Sequence, residues 1–210
     1  MRLKRALIGL AVTAFTVLAF AGPASATPGQ VLSIRFHGTF ADAFWFSPTS
    51  STSFTATTIS VTPSQLAVDQ FTGNTDASGN FIGGTDTFAD VTSGFSFSID
   101  KAQLTTGSTS GSIPGTTCAV DVNGNETNCT ATTINLTVAW TGQGPIVRQV
   151  ANQHFKAAGF SESDHFNGTD RTSTATGTFS GSTLNASDLQ FADLGFANSG
   201  TILRCIGLSC

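Results

Sequence analysis

Thr133–Trp140 reads TINLTVAW. Apolar Ile134, Leu136, Val138 and Trp140 alternate with Thr133, Asn135, Thr137 and Ala139. In an extended chain successive side chains point to opposite faces, so this octet is a strand that buries one face and wets the other. The same period recurs outward along the chain. Leu32, Ile34 and Phe36 oppose Ser33, Arg35 and His37, and Phe95, Phe97 and Ile99 alternate with Ser96, Ser98 and Asp100. Helix formers never accumulate, whereas DASGN (Asp76–Asn80), DVNGN (Asp121–Asn125) and TGQGP (Thr141–Pro145) carry the Asp, Asn and Gly of tight turns. Many short strands at this spacing predict an all-β chain: a single antiparallel β-sandwich or flattened β-barrel of about ten strands.

The TINLTVAW strand also overlaps a repeat. TATTINLT (Thr130–Thr137) matches TATTISVT (Thr55–Thr62) at six of eight positions, 75 residues apart. The apolar pairs Ile134/Leu136 and Ile59/Val61 keep the same register. This allows two similar halves of about 75 residues within one sheet system.

Composition sets the cellular context. Met1–Arg5 reads MRLKR, an uncharged and largely apolar run follows to Ala21, and GPASA supplies Ala24 and Ala26. That is the order of a secretory signal peptide cleaved after Ala26, leaving 27–210 as a single all-β domain. The basic n-region has a bacterial look, so a secreted, extracellular location is expected, with no membrane insertion after cleavage. Without Arg2, Lys4 and Arg5, six basic residues face thirteen acidic ones. So acidic a surface cannot neutralise a run of phosphates, which argues against nucleic acid and anionic membranes. Five Asn-x-Ser/Thr sequons, at Asn125, Asn128, Asn135, Asn167 and Asn185, are expected to be bare in such a host.

Four cysteines form two close pairs, Cys118/Cys129 and Cys205/Cys210. Local pairing is expected: the first disulfide closes a hairpin and the second pins the last turn. Their spacing is not that of a zinc knuckle.

Few residues offer chemistry. No nucleophile elbow, phosphate loop, dinucleotide fingerprint or His-Glu-x-x-His motif occurs. SESDHFNGTDR (Ser161–Arg171) is the densest polar stretch. If the chain turns between Gly159 and Phe160, His154 faces His165, and with Asp164 or Glu162 and the outward His37 the pair could hold a divalent metal, the one cofactor considered. The blander reading is a wet hairpin edge, with Asn167–Thr169 as a turn before the next strand. DVNGNE (Asp121–Glu126) resembles the start of a calcium loop but lacks its full spacing. FADAFWF (Phe40–Phe46) is the densest aromatic stretch. Phe40, Asp42, Phe44 and Phe46 share one face and Trp45 takes the other. Trp45, Asp42 and Phe44 are the candidate binding residues, because exposed aromatics beside polar groups stack on sugars or line apolar pockets.

Two functions follow as expectations. One is a non-enzymatic extracellular binding or structural module for a glycan, a cell surface or an extracellular protein. The alternative is a barrel whose apolar cavity carries a small lipophilic ligand or runs simple acid–base chemistry, with Asp42 as an acid.

Overall fold

The computed structural model describes residues 30–157, 160–185 and 189–206, which leaves the leader and the Cys205–Cys210 pairing outside the described residues. Eleven strands form one antiparallel sheet: β1 (Gln30–Ser50), β2 (Ser53–Thr62), β3 (Gln65–Thr75), β4 (Phe81–Val91), β5 (Phe95–Ile99), β6 (Thr106–Val120), β7 (Glu126–Gly142), β8 (Val147–Ala157), β9 (Phe160–Phe179), β10 (Ser182–Leu184) and β11 (Leu189–Ile206). Eight of them close a ring in the order β9–β11–β1–β2–β3–β4–β6–β7 and back to β9. The flattened-barrel expectation is therefore met. Among the described residues no helix is long and apolar enough to cross a membrane.

The alternation read from TINLTVAW fills the ring. Ile134, Leu136, Val138 and Trp140 of β7 are buried, and so are Ile59 and Val61 of β2. The two octets thus present the same positions to the core, although β2 turns back after Thr62 while β7 runs on to Gly142. Trp45, Trp140, Phe179, Leu194 and Ile113 occupy the centre. Each indole also satisfies its N–H across the interior. Trp140 Nε1 donates to Asp42 O at 2.9 Å, and Trp45 Nε1 donates to Ala175 O at 3.2 Å. Buried Trp is tolerated where its N–H finds such a partner.

Two features complete the ring. β9 pairs with β11 as far as Thr172↔Asp193, and beyond that point the strands part. Gln190 bridges the seam: its Oε1 accepts the Ala175 N–H at 2.7 Å, so side chains of β1 and β11 serve both backbone groups of Ala175. One end is plugged by the 100–105 loop, whose Leu104 enters the core with φ 49°. Arg171 Nη1 donates to Gln103 O at 2.8 Å, and Gly142 N donates to Thr105 O at 2.8 Å.

Two hairpins show why their loops carry Asp-x-x-Gly-Asn. In each, the Asp carboxylate receives the N–H groups two and four residues on: Ser78 and Asn80 for Asp76, Asn123 and Asn125 for Asp121. Gly79 and Gly124 take φ of 83° and 82°, which glycine reaches at no steric cost. The Asp121 carboxylate is thus engaged by its own loop, with its pKa lowered mainly by the Asn125 side chain.

Ser161–Arg171 is not a hairpin edge. It lies inside β9, between β8 and β11, and the edge strand is β8. The turn expected at Asn167–Thr169 is continuous strand. Gly168 serves close strand approach instead, since a Cβ there would lie 2.3 Å from Phe196 O. Gly177 is tighter still, with its missing Cβ 2.0 Å from Thr137 O. Gly177→Ala is expected to cost about 1–3 kcal/mol through backbone displacement, read as a lower urea midpoint. An unchanged midpoint would mean that β7 and β9 are not packed this closely.

Candidate functional site

FADAFWF divides its faces as the sequence indicates, but the inward and outward roles are reversed. Ala41, Ala43 and Trp45 point into the ring, and Trp45 is only 1% exposed. Trp45 is therefore core and cannot stack on a surface ligand. The small alanines leave room for its indole beside Trp140, while a row of phenylalanines there would overfill a closed ring. Asp42, Phe44 and Phe46 are half-buried on the outside.

That outer face carries an aromatic row. Phe191 stacks on Phe44 with centroids 6.4 Å apart. From Phe46 the row passes to Phe54 at 5.5 Å, then to Phe71 at 5.8 Å and Phe81 at 6.0 Å. It crosses β11, β1, β2, β3 and β4. The rings stay half-buried because some lie over glycines of the neighbouring strand. A Cβ on Gly73 would meet Phe54 Cζ at 2.5 Å, and one on Gly195 would meet Phe40 Cζ at 2.2 Å. An aromatic laid across a strand glycine shields backbone that would otherwise be bare.

Carboxylates alternate with these rings. Asp42 precedes Phe44 by two positions, Asp69 precedes Phe71, Asp86 precedes Phe88, and Asp193 follows Phe191. Register then decides what each acid meets. On β1 and β11 like faces like: Phe44↔Phe191 and Asp42↔Asp193. Burial, with the Asp170 and Asp42 charges beside it, pushes the Asp193 carboxyl up to about 7. Burial also raises Asp170. On β3 and β4 the pairing is crosswise, Asp69↔Phe88 and Phe71↔Asp86. Asp86 is 7% exposed, and its Oδ1 has no hydrogen-bond partner. Burial first, then the charges of Asp69 and Glu126, and the hydrogen bond that the protonated Asp86 carboxyl donates to Asp69 push it up to about 8. Of these acids the sequence singled out Asp42 alone. The recurring Asp-x-Phe and Phe-x-Asp spacing was the available signal for the others.

The histidines do not assemble as the metal reading requires. β8 and β9 pair Asn152 with His165 and Ser163 with His154, a slide of two residues from the register that opposes His154 to His165. His154 Nδ1 and Ser163 Oγ are hydrogen-bonded at 2.7 Å, and His165 Nδ1 donates to Asn152 Oδ1. His37 Nδ1 donates to Asn198 O at 2.6 Å, at a bulge in β11. Each ring is fixed by its own local partner. The Cys118–Cys129 disulfide forms, with S–S 2.06 Å, and ties β6 to β7.

On the outer face, then, the arrangement offers flat apolar rings flanked by carboxyl groups. Comparison of the chain with models of protein families, with curated proteins and with solved structures gives no match.

Proposed function

We propose that the protein is a secreted, non-enzymatic module that binds carbohydrate-bearing surfaces through the outer face of β11, β1, β2, β3 and β4. The observation that carries this reading is the Phe191–Phe44 and Phe46–Phe54–Phe71–Phe81 row on the outside of a closed ring. Sugar rings stack on flat aromatics, and neighbouring carboxylates accept hydrogen bonds from their hydroxyls. Export is supported by the MRLKR leader with its Ala24/Ala26 exit and by a disulfide, which persists in oxidising compartments. The side chains that occupy the ring's interior weigh against a carrier of lipophilic ligands.

Retention on insoluble polysaccharides (cellulose, chitin and peptidoglycan) tests the reading. At least one should retain the protein, and Phe46→Ala should weaken that retention about five- to tenfold, the worth of one stacked ring. No retention on any of them, or retention indifferent to Phe44→Ala and Phe46→Ala, would overturn it. The intact mass of the exported protein checks the leader separately, with loss of residues 1–26 expected.

A further inference from the structure

We propose that the outer face of β11, β1, β2, β3 and β4 selects a cationic glycan, a polymer of amino sugars with free amines, over a neutral one. The inference rests on the carbohydrate reading above and names the ligand class for the same face. Placement of charge carries it. No Lys or Arg occurs in Phe36–Asp100, which holds most of β1 and all of β2, β3 and β4, and none occurs in Leu189–Leu203 of β11. Five of the thirteen acids lie on these strands: Asp42, Asp69, Asp86, Asp90 and Asp193. Register sets them among the rings. One row across the strands runs Phe191, Phe44, Thr58, Asp69, Phe88, and the row beside it runs Phe46, Ala56, Phe71, Asp86.

The neighbouring wall of the ring is built differently. β6 and β7 also lack Lys and Arg, yet they hold no Phe and a single acid, Glu126. Acids that served solubility alone would be spread over both walls, whereas here they follow the aromatic rings. Asp42 and Asp193 stand directly opposite each other across β1 and β11. Like charges so placed destabilise a sheet, and the stretches named above supply no Lys or Arg to offset them. A ligand that carries cations does so. The rings act in the same sense, because the face of a benzene ring is negative and attracts an ammonium group. Phe has neither hydroxyl nor N–H, and a carboxylate only accepts hydrogen bonds, so rings and acids together call for a donor-rich cation. An anionic glycan would be repelled.

Isothermal titration with two hexamers of one backbone tests this, the N-acetylated chitin hexamer and the N,N,N-trimethylated glucosamine hexamer. The trimethylammonium charge is fixed, so both are compared near pH 8, where the Asp193 carboxyl has lost its proton, in about 0.15 M NaCl. The trimethylated hexamer should bind about tenfold more tightly than the acetylated one. The double variant Asp42→Asn/Asp69→Asn should erase that preference, and Phe46→Ala should weaken the trimethylated ligand about fivefold. Asp100→Asn removes the same charge from the 100–105 loop and keeps the acceptor for the Ala102 and Gln103 N–H groups, so it should leave the preference intact. Equal affinity for the two hexamers would overturn the cationic assignment and leave the carbohydrate reading standing. A preference that survives the double variant, that Phe46→Ala does not touch, or that Asp100→Asn weakens as much, would reduce it to the net charge of the chain and overturn it as well. Binding of neither hexamer would overturn it too, while retention on the insoluble polysaccharides judges the carbohydrate reading separately.

Discussion

A Trp45→Ala variant is expected to lose about 3–5 kcal/mol of stability, enough to leave a domain of ordinary stability partly unfolded at room temperature. Two losses combine. The indole fills the middle of a closed ring whose other occupants, Trp140 and Phe179, are held by their own strands and cannot collapse into the space. Its Nε1–H also serves the Ala175 carbonyl at the seam where β9 and β11 have parted, so the truncation orphans a buried acceptor. Trp45→Phe separates the two, because it restores most of the volume without the donor. It should recover more than half of the loss. Urea unfolding followed by the remaining Trp140 fluorescence measures both. A Trp45→Ala protein within about 1 kcal/mol of the parent would mean that Trp45 is a surface residue after all.

The second large effect is an inverted pH dependence. In the unfolded chain Asp193 releases its proton near the usual 3.8, whereas in the folded chain it does so near 7. Between those values the folded state holds a proton that the unfolded state has lost. The Asp193 contribution is therefore full below about pH 4, falls as pH rises toward 7, and is flat above. Asp86, pushed higher still, acts in the same direction. The protein should be about 1–3 kcal/mol less stable at pH 8 than at pH 5, opposite to the acid lability of a protein whose carboxylates are ion-paired. Asp193→Asn keeps the shape and removes the charge. It should reduce the slope below pH 7 to the Asp86 share and stabilise the protein at pH 8. A parent protein that instead gains stability from pH 5 to pH 8 would show that Asp42, Asp170 and Asp193 do not share a desolvated patch.

Period-two alternation made the strands legible, and it assigned correct faces even in FADAFWF. It could not tell which face of that strand looks inward. Inside and outside are properties of the closed ring, and on FADAFWF both faces are apolar enough to be buried. The winner was volume: Ala41, Ala43 and one indole fit a narrow interior that phenylalanines would overfill. The acid clusters were hidden for a different reason. Asp42 and Asp193 are about 150 residues apart in sequence, and only the β1–β11 register brings them opposite each other. The His154/His165 reading depended on a turn position, and a slide of two residues gave each histidine a different neighbour. Local chemistry was the most legible. The Asp76 and Asp121 turns and the Cys118–Cys129 hairpin each rest on residues within a dozen positions of one another.

The pairing of β1 with β11 has a kinetic consequence. Gln30 meets Ile206 and Phe46 meets Leu189, so the first strand of the ring finds one of its two partners in the last strand. No order of hairpin formation along the chain can close the ring before that last strand exists. Closure joins residues far apart in sequence, and ordering so long an intervening chain is entropically slow. Refolding should be slow for a domain of this size, with hairpins such as β2–β3 and β6–β7 formed early and the β1–β11 seam last. Until β11 is in place β1 has a bare edge on one side, so docking of β11 is the step that commits the ring to the native state.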